Sequence, residues 1–251
     1  SLGWGIQSFA LAAMSALGEM PPVDYAIHAD TTHEISGTYE HAAKWTPWLE
    51  SHGVKVVTVR ASQPNVLRRG GVSIPAYTIN GTGKSGQTKR QCTHDWKMSP
   101  IRRFIRSIIG KPTPGAVEMV MGISLDEYAR QRSSDVQYIE NAYPLVDSRI
   151  TRADCIEWLE RQGLDVPPKS ACSFCPYHNR GAWRELKRAG GLDWERALSV
   201  DEVIRDRRPP YQLFVHPARL PLAHAVSIPE DEGARQMELD EVPCDGGVCF
   251  V

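Results

Sequence analysis

Short apolar runs rich in β-branched residues punctuate the first half of the chain, at VDYAIHA (23–29), VKVVTVR (54–60) and AVEMVMGI (116–123). Between them lie stretches of helical length and period. The first, from Gln7 to Leu17, is Ala-rich; the second runs from about Ser36 to His52, with Ser36 as N-cap and Pro47 as a potential kink; the third spans roughly Asp95 to Ile109 and stops at Gly110. Strands that alternate with helices imply an α/β fold, a largely parallel sheet covered on both faces. In such sheets ligands sit at the carboxyl ends of the strands, where the segments GWGIQS, HADTTHE and GISLDEYAR fall.

After Tyr143-Pro144 the strand signal fades. Thr151 reads as the N-cap of a helix through Gln162, VPPKS leads to a Cys pair, and Asn179 to Asp206 is mostly helical and charged. The expected organisation is an α/β core over 1–150, a helical lobe with the CxxC pair over 151–216 packed on it, and an irregular tail over 217–251.

A length of 251 residues, 41% hydrophobic and 24% charged, suits a well-buried core, and no apolar run is long enough to span a membrane. The net charge of −1 conceals a local bias. Lys and Arg crowd the stretch 84–111, where Asp95 is the lone carboxylate, a pattern that suits a polyanionic ligand or a solvated helix face. Six cysteines without a secretory leader indicate a reduced, cytoplasmic protein using thiols for metal or redox work. The first residue is Ser1 rather than methionine, which points to a segment removed upstream.

Cys172 and Cys175 in KSACSFCPYHN have the spacing that lets two sulfurs face one point, and Pro176 follows as it often does after a cluster ligand. A redox-active CxxC is the main alternative, although that version opens a helix directly after a strand. Two thiolates satisfy neither zinc nor an iron–sulfur cluster. Cys92, ahead of a helix and among cations that favour thiolate, is the third candidate; Cys155, in the first turn of a helix, is either the fourth or a small apolar residue on a buried face. One knuckle plus scattered single cysteines leans toward [4Fe–4S] over zinc. Cys244 and Cys249 bracket DGGV in the tail, where two glycines let a thiol swing toward a distant site.

The segment SLGWGIQS places glycines and serines ahead of a helix, so backbone N–H groups and hydroxyls can meet an anion. Together with HADTTHE and CTHDWKMSPIRRFI, it resembles the phosphoadenosine phosphosulfate reductase family of the adenine nucleotide alpha-hydrolase (PP-loop) superfamily, and is similar to phage and prophage members. The resemblance covers about residues 1 to 180 and implies a Rossmann-like core with a cluster-binding lobe. GWGIQS stands where related enzymes carry an SGGxDS-type loop, with Gln7 at the aspartate position. The tail CDGGVC departs from the ECG-type tail that carries the reductases' nucleophile.

That likeness implies a nucleotide-dependent sulfur enzyme. Ser1, Gly3, Gly5, Gln7, Ser8, Asp30, Thr31 and Arg90 would bind the nucleotide, Lys97 and Arg130 would meet phosphate or sulfate, and Cys249 or Cys244 would attack sulfur. Relatives also imply a [4Fe–4S] cluster held by Cys92, Cys155, Cys172 and Cys175. The substrate would be an adenylyl sulfate (APS or PAPS), with a thioredoxin-like reductant. The alternatives are an ATP-dependent sulfurtransferase, with Mg²⁺ accompanying the ATP, that thiolates tRNA or DNA along the basic segment, and a nucleotide-binding module without turnover. His28, His33 and His94 lie near the expected rim and are assigned no acid–base role.

Overall fold

The structure, a computed structural model, describes residues 1–228. In chain order the helices are α1 (Ile6–Ala16), α2 (Ser36–Ser51), α3 (Ser99–Ile109), α4 (Pro144–Asp147), α5 (Arg152–Arg161), α6 (Arg180–Ala189), α7 (Gly191–Ile204) and α8 (Leu222–Ala225). The strands are β1 (Ala26–Asp30), β2 (Val56–Arg60), β3 (Leu67–Arg68), β4 (Gly71–Val72), β5 (Tyr77–Asn80), β6 (Ser85–Gln87), β7 (Val117–Val120), β8 (Ile139–Ala142) and β9 (Tyr211–Phe214). They form two compact units, each discontinuous in sequence: Ser1–Ser62 with Thr93–Ser170, and Gln63–Cys92 with 171–228.

In the first unit β1 pairs in parallel with β2, Ala26 opposite Val56 and Asp30 opposite Arg60, and β7 pairs in parallel with β8. Every residue of β1 is buried, as expected of a strand covered on both faces. Alternation sends its side chains to two cores: Ala26 joins Phe9, Leu49, Leu145 and Leu159, whereas Ile27 and Ala29 join Ile101, Ile105, Met119 and Ile139. Helices therefore cover both sides. α1 is buried from Ile6 through Ser15, which its apolar, Ala-rich sequence permits on every face.

α5 packs in this first unit rather than in a separate lobe. Thr151 caps it in a reciprocal box with Asp154, and Cys155, Trp158 and Leu159 enter the core shared with α1. The expected boundary at residue 150 is thus displaced to 170, because the apolar stripe of α5 needs the α1 surface. α2 continues unbroken through Pro47, with Ile35 rather than Ser36 at the cap position. Residues Thr93–Met98 form a π-helix that runs directly into α3, a form frequently found at functional positions.

The second unit is not purely helical. β5 is the centre of an antiparallel sheet of order β6-β5-β9. The segment GTGKSGQTK (81–89) supplies the turn and outer strand of this sheet; the Asn80 carboxamide oxygen accepts the N–H groups of Thr82 and Lys84 and closes the turn. Asp201 of α7 is 3% exposed and accepts the N–H groups of Val215 and Leu222 at 3.0 Å, fixing the chain after β9. Within the expected irregular tail, residues 217–228 include α8 and are packed by Leu222 and Ala225, while 229–251 lie outside the described residues. Among the described residues no helix is long and apolar enough to cross a membrane.

Candidate nucleotide site

The loop 3–8 folds on itself before α1 begins. The Ser8 hydroxyl accepts the Gly3 N–H at 3.2 Å and donates to the Gly5 carbonyl at 3.1 Å, while Trp4 adopts a left-handed φ of 57° with its ring buried. Gly5 occupies the N-cap position and no side chain caps α1. The first-turn N–H groups of a helix have no intrahelical acceptor, so this end suits an anion. Gly122, just beyond β7, lies against the loop: a Cβ added there would stand 2.7 Å from Ser8 Cα and 2.8 Å from its nitrogen. Only glycine allows this approach.

Gln7 has a structural reason to be Gln. Its carboxamide nitrogen donates to Glu127 Oε2 at 3.1 Å and to Ser124 Oγ at 3.4 Å, and Arg130 pairs with the other Glu127 oxygen. An aspartate at position 7 would set a second carboxylate against Glu127. Arg130, expected to meet phosphate or sulfate, thus carries its own counter-charge.

The turn after β1 forms a second wall. The Asp30 carboxylate, 3% exposed, accepts the Thr32 N–H at 2.7 Å, the Tyr39 hydroxyl at 2.9 Å and Arg60 Nε at 2.6 Å. Burial opposes ionisation, yet these donors together hold its carboxyl below the usual range. Asp30 therefore shapes the turn, holding Thr32 at a φ of 63°, with its oxygens already engaged. Fully buried Thr31 donates to Glu34 Oε1 at 3.2 Å, and Lys97 of the π-helix stands 3.4 Å from the same oxygen. Buried His28 faces the Leu2 carbonyl through Nδ1 at 3.1 Å, and burial lowers its pKa, which keeps the ring neutral. Ser1 donates its nitrogen to the Val120 carbonyl.

Of the residues expected to bind nucleotide, Gly3, Gly5, Gln7, Ser8, Asp30 and Thr31, with Lys97 and Arg130, fall in the first unit at the ends of β1, β7 and α1. Arg90 lies in the second unit, its guanidinium 5.0 Å from the Tyr177 ring centre. Gly122 and Glu127 belong to the segment GISLDEYAR and Glu34 to HADTTHE, both expected on the rim, whereas Tyr39 lies outside the segments expected there. Tyr39 carries no local signal, because its role depends on the Asp30 carboxylate that it reaches nine residues back.

Cys92, Cys172 and Cys175 belong to the second unit. The Cys92 N–H donates to the Ser73 carbonyl at 2.9 Å, and Cys172–Cys175 forms a tight turn in which the Cys175 N–H donates to the Cys172 carbonyl at 2.9 Å. His178 Nε2 donates to that carbonyl as well, at 2.9 Å. Tyr77 is pushed up, first by burial and then by the Cys175 sulfur beside it.

The expected four-thiolate cluster is not shown. Among the described residues no group of three or more His, Cys, Asp or Glu side chains is arranged to hold a metal. Cys155 has no exposed surface, lies in the α1–α5 core and is raised to about 12, chiefly by burial. Of its two readings, the apolar one matches its surroundings. Buried Cys155 is therefore not in position to serve as an exposed thiolate ligand, and its place in the core belongs to packing. Cys244 and Cys249 lie outside the described residues.

No protein-family model matches the sequence, and no curated protein matches it significantly. Among solved structures, the chain is similar to phosphoadenylyl-sulfate (PAPS) reductase from Candida auris in its phosphate complex, at 10% identity, over 66% of this chain and 72% of that chain, with a TM-score of 0.42. At that level of likeness, the functional reading rests on this chain's own residues. Those residues establish a parallel α/β unit whose polar side chains gather where β1 and β7 end and α1 begins.

Proposed function

We propose that the chain binds an adenylyl sulfate and acts as a reductase-like, nucleotide-dependent sulfur enzyme of the phosphoadenosine phosphosulfate reductase type. The observation that carries the reading is the uncapped start of α1, held by the Ser8 turn and pressed on Gly122 at the strands' carboxyl ends. The motif resemblance supplies the identity of the anion. Phosphate would lie on the first-turn N–H groups and the Ser8 hydroxyl, with Lys97 and Arg130 shifting from Glu34 and Glu127 toward the sulfate.

The chemistry follows from a good leaving group. A tail thiolate, Cys249 or Cys244, attacks the sulfate sulfur; the S–O bond to phosphate breaks and the nucleotide departs with the electron pair, its charge stabilised by the donors that already hold it. The S-sulfocysteine is then attacked at its cysteine sulfur by a thioredoxin-like dithiol, which supplies two electrons and releases sulfite.

Calorimetric titration with APS, PAPS and ATP, followed by sulfite assays with a dithiol reductant, tests this. Binding of an adenylyl sulfate and sulfite release that disappears in Cys244→Ser/Cys249→Ser are expected, with Cys155→Ala remaining active. Sulfite release that survives the double substitution would remove the tail nucleophile. Binding without turnover would leave a nucleotide-binding module, and ATP-dependent sulfur incorporation into RNA or DNA would replace the reductase reading altogether.

A further inference from the structure

The run of cations over 84–111 is divided between the two units. The π-helix and α3 carry its second half in the first unit, whereas 84–92 belongs to the second. Counted by unit, the first holds fourteen Lys and Arg against seventeen Asp and Glu, and the described residues of the second hold fourteen against six, a net charge of +8 within a chain whose total is −1. Residues 63–92 contribute five of those cations and no carboxylate. Asp201, one of the six carboxylates, is buried and engaged with Arg205, so it does nothing to offset the surface. Like charges gathered on one small unit repel one another, and a polyanion relieves that repulsion.

The sheet of this unit supplies a shape for the polyanion. Residues directly opposite one another in an antiparallel sheet share a face. Tyr77 stands opposite Gln87 and Phe214, and Ile79 opposite Ser85 and Gln212. The reverse face, where Thr78 meets Leu213, is buried. On the first face Ser85, Gln87 and Gln212 are exposed and Ile79 is half-buried, so water meets uncharged side chains around an apolar centre, and none of the three strands contains a carboxylate.

Cations stand at both ends of this face. The Asn80 N–H donates to the Lys84 carbonyl at 3.0 Å, Asn80 lies opposite Tyr211, and the Tyr211 N–H donates to the Arg208 carbonyl at 2.8 Å. Exposed Lys84 and Arg208 therefore flank the same end. At the other end guanidinium groups lie over the two rings, that of Arg219 at 5.8 Å from the Tyr77 centre and that of Arg205 at 4.0 Å from the Phe214 centre.

We propose that this face of the second unit binds single-stranded RNA. The cations at its ends meet phosphates, the Tyr77–Ile79 surface supports the flat faces of unpaired bases, and Ser85, Gln87 and Gln212 both donate and accept hydrogen bonds, as base edges and the ribose 2′-hydroxyl require. A duplex keeps its bases stacked away from such a face, and DNA lacks the 2′-hydroxyl. The inference concerns the second unit alone and does not depend on the nucleotide site or on reductase chemistry.

Fluorescence anisotropy of the full chain with labelled oligouridylate, oligothymidylate and an RNA duplex of equal length, over a series of salt concentrations, tests this. The oligouridylate is expected to bind most tightly, with an affinity that falls as salt rises. Lys84→Glu/Arg208→Glu should weaken it at least tenfold and reduce the slope of log affinity against log salt by about 1.4, roughly 0.7 for each lost phosphate contact. Gln87→Glu/Gln212→Glu, isosteric changes at exposed positions that leave the fold intact, should also weaken it at least tenfold. Arg103→Glu/Arg106→Glu removes the same charge from the exposed side of α3 in the first unit and should cost less than threefold at physiological salt. An equal loss from the α3 pair would overturn the proposal, as would equal affinity for the three nucleic acids or no binding of the oligouridylate at low salt. Tighter binding of polyglutamate than of RNA would give the surface to an acidic protein segment instead.

Discussion

Replacing Gly122 by alanine adds one methyl group where there is no room for it. The new Cβ would meet Ser8 Cα at 2.7 Å, Ser8 N at 2.8 Å and Ser8 Cβ at 3.0 Å. Carbon atoms in comfortable contact stand about 3.5–4.0 Å apart, so the loop must retreat by roughly 0.5–1 Å. Two of the three obstructing atoms are backbone and cannot rotate away. Overpacking of this kind costs about 1–3 kcal/mol, and in a chain of this size each kcal/mol lowers Tm by roughly 2–4 °C, so a fall of about 2–12 °C is expected. The same retreat moves the first N–H groups of α1 off any bound phosphate. Loss of one charge-assisted hydrogen bond, about 1.5–3 kcal/mol, weakens nucleotide binding at least tenfold. Scanning calorimetry and titration with an adenylyl sulfate check the two effects, with Gly86→Ala as control because its Cβ would meet Thr78 Oγ1 at an ordinary 3.5 Å. A Gly122→Ala protein that keeps the parent's Tm and affinity would refute the close-approach argument. One that loses Tm but binds as before would separate packing from the site.

Two further expectations follow from buried polar groups. Asp30→Ala leaves Thr32 in a left-handed conformation without its acceptor and is expected to destabilise the first unit by about 3 kcal/mol in urea unfolding. With Tyr39→Phe it should form a non-additive cycle; strict additivity would argue against their hydrogen bond. His41 is buried among Trp4, Phe9 and Trp45, and its pKa is lowered to about 4, first by burial and then by Lys44, with Asp165 opposing. Because the unfolded chain takes up the proton near 6.5 and the folded one only near 4, the contribution is complete above about pH 6.5 and is lost as pH falls toward 4. Between pH 6.5 and 5 this amounts to about 1.6 kcal/mol, since the limiting slope of about 1.36 kcal/mol per pH unit is reached only once the unfolded imidazole is mostly protonated. His41→Leu should flatten that slope, and an unchanged slope would assign it elsewhere, to His216 for example, also lowered to about 4 by burial.

Much of the first unit was legible because its signals are local. Apolar runs marked β1, β2 and β7, and the periodicity of the intervening stretches marked α1, α2 and α3, since each element buries its own sequence against a common core. Thr151 marked the start of α5 as its N-cap, a role that depends on the residues immediately following it. The glycines and serines of the loop 3–8 marked the start of α1 for the same reason.

Pairing across long distances in the chain was not legible. β5 joins β9 more than a hundred residues later, and neither short strand carries a pattern that names its partner. Cys155 was a thiol with two readings until packing between α1 and α5 closed it off from water. Gln7 looked like a departure from a nucleotide motif until Glu127 stood opposite it. The sequence by itself determined which segments of the first unit become its main strands and helices. Which charges are already paired and which thiol is buried were decided only by tertiary structure, because burial and electrostatic partners belong to neighbours in space rather than along the chain.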